Sequence, residues 1–126
     1  MALYETGGSG SAQHNAVRDM GRAPVEGRIF IHDEEKLYIA PIVDISEAGC
    51  FVAHLTALTI GAKVRAVIKS PALGSPIQIV GTVMRVETGN RSGVAIGFTK
   101  VSDEARKRIA RHVASSKSSQ QLGDVA

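Results

Sequence analysis

Arg18 and Arg22 stand four residues apart, and Asp44, Ser46 and Gly49 follow further along at spacings of two and three. An arginine presents a planar fork of donors that matches phosphate oxygens and the O6/N7 edge of a guanine, and it also stacks on bases. An ionised aspartate accepts hydrogen bonds and matches the N1–H and N2 amino group of the same base. A serine hydroxyl donates to a phosphate or bonds the backbone nearby, and a glycine lets the main chain turn or approach where a Cβ would block it. The combination suits an anionic ligand carrying guanine bases. Taken singly, each piece reads as ordinary: Asp-x-Ser-x-x-Gly is common turn chemistry, and exposed arginines are usually solvated.

Other chemistries find no support. The four histidines, His14, His32, His54 and His112, are scattered, with no HExxH pair, and Cys50 has no partner cysteine. A lone cysteine excludes a disulfide within the chain and fits a reducing compartment. Set in an apolar stretch, Cys50 reads as a core residue. There is no nucleophile elbow and no phosphate loop of the GxxxxGK[ST] type. Asp44, Ser46 and His54 all sit on one short segment, a poor basis for a catalytic triad. The chain is expected to have no enzymatic activity, metal or cofactor. A net charge of +3 and a pI of about 9.3 permit an anionic partner. Aromatic residues at 4% and no tryptophan leave few platforms for stacking single-stranded nucleic acid, so that partner is disfavoured. No apolar run reaches the roughly 20 residues that span a bilayer, and the N-terminus lacks a signal-peptide pattern, so a cytoplasmic protein without membrane insertion is expected.

The elements that must position these residues are mostly strands. Residues 1–16 are Gly/Ser-rich and read as a flexible arm; 17–114 read as one domain; 115–126, Ser/Gln-rich, read as a flexible tail. Gly21 and Pro24 argue against a helix around Arg22. Strands are predicted over 25–31, 36–45, 49–54, 63–69, 77–87 and 92–98, with a bulge or late start at Pro41 and a bend at Gly81. Lys63, Arg65 and Lys69 alternate with Val64, Ala66 and Ile68, as in a half-buried strand. Short strands in series predict an antiparallel barrel or sandwich. Ser102 then N-caps a helix of about three turns, with Val101, Ala105, Ile109 and Val113 on its buried side.

The RxxxR pair, the DxSxxG run, Gly81-Thr-Val-Met-Arg85, Gly93-Val-Ala-Ile-Gly97-Phe98 and the closing helix together resemble a PilZ domain over about residues 17–114. The resemblance implies a six-stranded antiparallel β-barrel with a C-terminal α-helix and binding of the bacterial second messenger cyclic di-GMP. It implies that Arg18 and Arg22 hold phosphates and guanine edges, while Asp44, Ser46 and Gly49 line the base-binding face. Arg85 is a secondary candidate. Val17 stands where an arginine, in the family, accompanies an intercalated ligand dimer; valine there points to one ligand per chain. With no output module in the sequence, the signal is expected to pass to a partner protein as the arm orders on binding, in the control of motility or biofilm formation. The rival reading is a PilZ-like adaptor that binds protein without nucleotide.

Overall fold

The computed structural model describes the backbone of residues 21–125 and the side chains of residues 21–116; Val17 and Arg18 lie outside the described residues. Among the described residues, seven strands and one α-helix follow in order: β1 (Ala23–Pro24), β2 (Arg28–Asp33), β3 (Lys36–Ile45), β4 (Gly49–Ala53), β5 (Lys63–Lys69), β6 (Ile77–Glu87), β7 (Gly93–Val101) and α1 (Asp103–Val125). Every pairing is antiparallel. Strands β2-β3-β4 form one three-stranded meander and β5-β6-β7 another. Two seams, β2 with β5 and β4 with β7, close them into a six-stranded barrel. The extra strand β1 lies along the far end of β3, with Ala23 opposite Ile45 and Pro24 opposite Asp44. The strand predicted over 25–31 starts late, as β2 at Arg28, and runs on to Asp33, while β1 precedes the predicted range. Between them Gly27 takes φ +151°, and a Cβ there would overlap the Lys69 carbonyl oxygen.

Alternation builds the core. Ile29 and Ile31 on β2, Val64, Ala66 and Ile68 on β5, and Ile77 and Ile79 on β6 point inward and are buried. Their neighbours point to the outside. The helix docks by three residues of the expected stripe: Ala105, Ile109 and Val113 are buried in the same core, and Ser102 Oγ accepts from Ala105 N at 3.1 Å as the N-cap. Val101, predicted on the same stripe, instead ends β7. Arg108 Nη1 ties the helix to the carbonyls of Leu73 and Ser75 at 2.8 and 2.9 Å. His112 Nε2 sits 2.8 Å from the Pro24 carbonyl oxygen. A carbonyl only accepts, so that nitrogen carries the proton and holds β1 against the helix. The helix runs to Val125, well beyond three turns. The Ser/Gln-rich stretch holds no proline and meets its first glycine only at Gly123.

The predicted irregularity at Pro41 is displaced. Pro41 pairs regularly with Arg28, and Ile42 N, next to it, donates to the Gly27 carbonyl at 3.1 Å. Pro41 therefore occupies a non-hydrogen-bonded position toward β2, and the β3–β4 pairing stops at Ile42, so its missing N–H leaves no gap. The bulge comes two residues later, at Val43.

Candidate functional site

Three bulges interrupt the barrel, and each shifts the inward phase by one residue. On β3, Ile42 faces Val52 and Asp44 faces Phe51, so Val43 is extra. Ile42 and Ile45 are buried while Val43 and Asp44 both turn outward. On β6, Val83 faces Ile96 and Arg85 faces Ala95, so Met84 is extra. Val83 and Val86 pack on the core, and Met84 and Arg85 are exposed. On β7, Thr99 is extra between Phe98, opposite Gly81, and Lys100, opposite Val80. Its Oγ1 donates to the Val80 carbonyl at 3.1 Å. The irregularity predicted at Gly81 thus falls at that level of the sheet, but its extra residue is on the facing strand. A bulge re-aims side chains that strict alternation would bury. Were Val43 paired in regular alternation, Asp44 would share the phase of Ala40 and Ile42 and point into the apolar interior.

Asp44 instead emerges between two arginines. Arg22 Nη1 lies 3.4 Å from its Oδ1, and Arg91 Nη2 lies 3.4 Å from its Oδ2. Both distances are at the long limit of a hydrogen bond, so these are loose ion pairs that a better-placed donor can replace. The Arg91 guanidinium also lies over the Phe51 ring, 4.3 Å from its centroid. Phe51 alternates with the core residues Cys50 and Val52, so it faces outward, yet it is fully buried.

The chain turns sharply after β3. Ser46 N donates to the Gly49 carbonyl at 2.8 Å, and Ser46 Oγ accepts from Ala48 N at 3.1 Å and Gly49 N at 3.2 Å. Ser46 thus shapes the loop through its backbone contacts. The Ala48 carbonyl accepts from Phe98 N at 2.8 Å, which pins the loop to β7. Gly49 lies opposite Gly97 and Phe51 opposite Ala95 across the β4–β7 seam. A Cβ on Gly49 would overlap the Ile96 carbonyl oxygen, so close strand packing demands this glycine. Gly49, Ala95 and Gly97 make a floor of small residues. Above it is a cavity of about 350 Å³ bounded by Arg22, Ser46, Met84 and Arg85. A second hollow of about 300 Å³ adjoins it, bounded by Pro24, Val43, Asp44 and Arg91. Arg22 lines both.

Of the sequence candidates, the structure brings Arg22, Asp44, Ser46 and Gly49 to one patch on the barrel exterior. Arg85 stands at its rim, with Nε donating to Glu87 Oε2 at 2.7 Å. Cys50 lies beneath, its thiol pushed up to about 12 by burial, with the Asp44 carboxylate adding to the shift and the Arg22 guanidinium opposing it. It remains a neutral core thiol. Arg91, Phe51 and Met84 were not read as site residues. The available signal was apolar pairs three apart inside strands, Ile42/Ile45 and Val83/Val86, which strict alternation cannot bury together. Larger hollows, of about 730 and 680 Å³ around His32 and Arg65 and of about 480 Å³ beside Pro24 and His112, lie elsewhere. None of these contains an Arg–Asp constellation, so the pairing of Asp44 with two arginines rather than size marks the candidate site. Among the described residues no cluster of His, Cys, Asp or Glu could hold a metal ion, and no helix is long and apolar enough to cross a membrane.

Comparisons with known proteins agree with this architecture. The family model for the PilZ domain matches residues 15–115. No curated protein matches the chain. Among solved structures, the Bacillus subtilis inhibitor of motility (MotI/DgrA) superposes with a TM-score of 0.66 at 16% identity, and K. pneumonia MrkH with a TM-score of 0.57 at 19% identity. Each superposition covers 81% of this chain and 50% of the other, so the chain spans half the length of these structures.

Proposed function

The chain belongs to the PilZ domain family, and from that premise we propose that it is a non-catalytic receptor for cyclic di-GMP. The observation that carries the reading is the convergence of Arg22, Asp44 and the Ser46–Gly49 turn around a floor of small residues. Arg22 faces both hollows and can fork onto a phosphate or the Hoogsteen edge of a guanine. Asp44 accepts from the Watson–Crick edge once a base displaces one of its two long ion pairs. The small floor lets a flat purine approach the backbone, and Arg18, from the preceding segment, adds a second guanidinium. Ordering of that segment over the ligand passes the signal to a partner protein in the cytoplasm, in the control of motility or biofilm formation.

Isothermal titration with cyclic di-GMP tests the proposal. Saturable heat is expected, and Arg22→Ala should weaken binding on the order of 100-fold, because a charged, hydrogen-bonded contact is removed. No heat and no thermal shift at high micromolar ligand would overturn the receptor reading in favour of an adaptor that engages protein alone. Binding with Arg22→Ala unaffected would overturn the site.

A further inference from the structure

Among the described residues, Phe51 is the one fully buried large side chain that lies on the exterior of the barrel rather than in its core. Gly93 presses against it: a Cβ there would lie 2.8 Å from the ring, and this glycine has φ +155°. The Arg91 guanidinium lies over the ring. Arg91 is held from below by Phe51 and at its edge by Asp44. It is also more than half exposed, at 57% of its side-chain surface, so the outer face of its planar group is open. Its place at the end of the 3-10 turn Gly89–Arg91, beside the hollow that Asp44 also lines, puts that face within the candidate site.

We propose that Arg91 is a further ligand-binding residue, a guanidinium shelf on which one guanine of the ligand stacks. This rests on the cyclic di-GMP reading and extends it. A planar cation already stacked on an aromatic ring offers its second face to a purine at little ordering cost. The column then runs Phe51, Arg91, guanine, and Asp44 stands at its edge to read the hydrogen-bond donors of the base. The binding surface so formed has few aromatic residues, and Arg91 supplies the stacking surface they would otherwise provide. Lysine at this position keeps the charge and loses the plane.

The test is calorimetric titration of cyclic di-GMP into the wild-type protein, Arg91→Ala and Arg91→Lys, with thermal unfolding to confirm that each variant is folded. Stacking on a side chain predicts a loss of at least about fivefold in affinity for Arg91→Ala. Arg91→Lys should fail to recover most of it. Wild-type affinity in Arg91→Lys would overturn the shelf and leave only a charge effect. Unchanged affinity in both variants would remove Arg91 from the site while the receptor reading stands. Absence of binding by the wild-type protein would sink the receptor reading itself, and the shelf with it.

Discussion

The barrel has a regular wall and a broken one. Strands β2, β5 and the first half of β6 pair with uninterrupted registers, and inward and outward residues alternate along them. Their outer surface carries residues such as Val67 and Phe30, the latter under Lys69, whose ammonium lies 4.9 Å from the ring centroid. On the other wall, β3, β6 and β7 each contain a bulge, and the polar constellation sits between those of β3 and β6. Both walls bury their inward apolar residues, but the extra residues Val43 and Met84 of the broken wall are exposed. The walls differ in what the interrupted alternation delivers: two consecutive outward residues at one point of a strand, one of them a charge that regular pleating would direct into the core.

The sharpest way to break this contrast is to remove a bulge. Deleting Val43 should restore strict alternation on β3 with Asp44 still outward and Ile45 still in the core, because Asp44 then follows Ile42 directly. Urea denaturation should show that the fold survives, but the carboxylate takes the position of Val43 and is displaced from the Arg22 and Arg91 guanidiniums. Affinity for cyclic di-GMP should therefore fall on the order of 100-fold, as when a charged, hydrogen-bonded contact is lost. Wild-type affinity in the deletion variant would mean that the bulge does not position the carboxylate. A smaller effect is expected from filling the floor. Gly97→Val adds bulk toward Met84, whose Cγ would lie 3.1 Å from the new Cβ and whose flexible side chain can move. The fold should survive, while affinity falls about tenfold, the effect of small volume changes in a fitted pocket. Val67→Thr, its counterpart on the regular wall, should leave affinity unchanged and stability within about 0.5 kcal/mol. Equal effects of the two substitutions on binding would erase the contrast between the walls.

The smallest effect is confined to alkaline pH. The Cys50 thiol, with an ordinary value of 9.0, is raised to about 12 in the folded protein. The folded state therefore holds the proton more tightly than the unfolded state. This contribution to stability is complete below pH 9 and is lost as pH rises from about 9 to 12. Cys50→Ala should lower stability at neutral pH through the lost packing and flatten the alkaline decline. An unchanged slope of stability against pH above 9 would remove Cys50 as its source.

How much of this was legible in the sequence follows the same division. On the regular wall, the alternation of Val64, Ala66 and Ile68 against Lys63, Arg65 and Lys69 gave the strand and its orientation, and Ala105, Ile109 and Val113 gave the helix face. The residue types of the DxSxxG run indicated the site patch, and Gly81 marked a real register shift. Pro41 misled, because a missing N–H matters only where the ladder needs it. The bulges at Val43 and Met84 carry no glycine or proline at the extra residue. They are visible only as in–out–out–in spacing, once the partner strand is known. Arg91 was hidden for a related reason: its role comes from Phe51 and Asp44, which are adjacent to it only after β4 closes on β7.

That closure has a consequence for how the protein is made. Within each meander, neighbouring strands are consecutive in sequence and their pairing costs little chain entropy. The β4–β7 seam joins Gly49 to Gly97 and brings together strands from different meanders, a non-local pairing expected late in folding. The glycine floor straddles that seam. A chain caught with the barrel open would expose β4 and β7 as unpaired edges prone to aggregation, and it would also have no floor for a ligand. The proposed ligand, added during refolding, should therefore favour only chains that have completed the circuit, and its binding would report on, and protect, the last step of assembly.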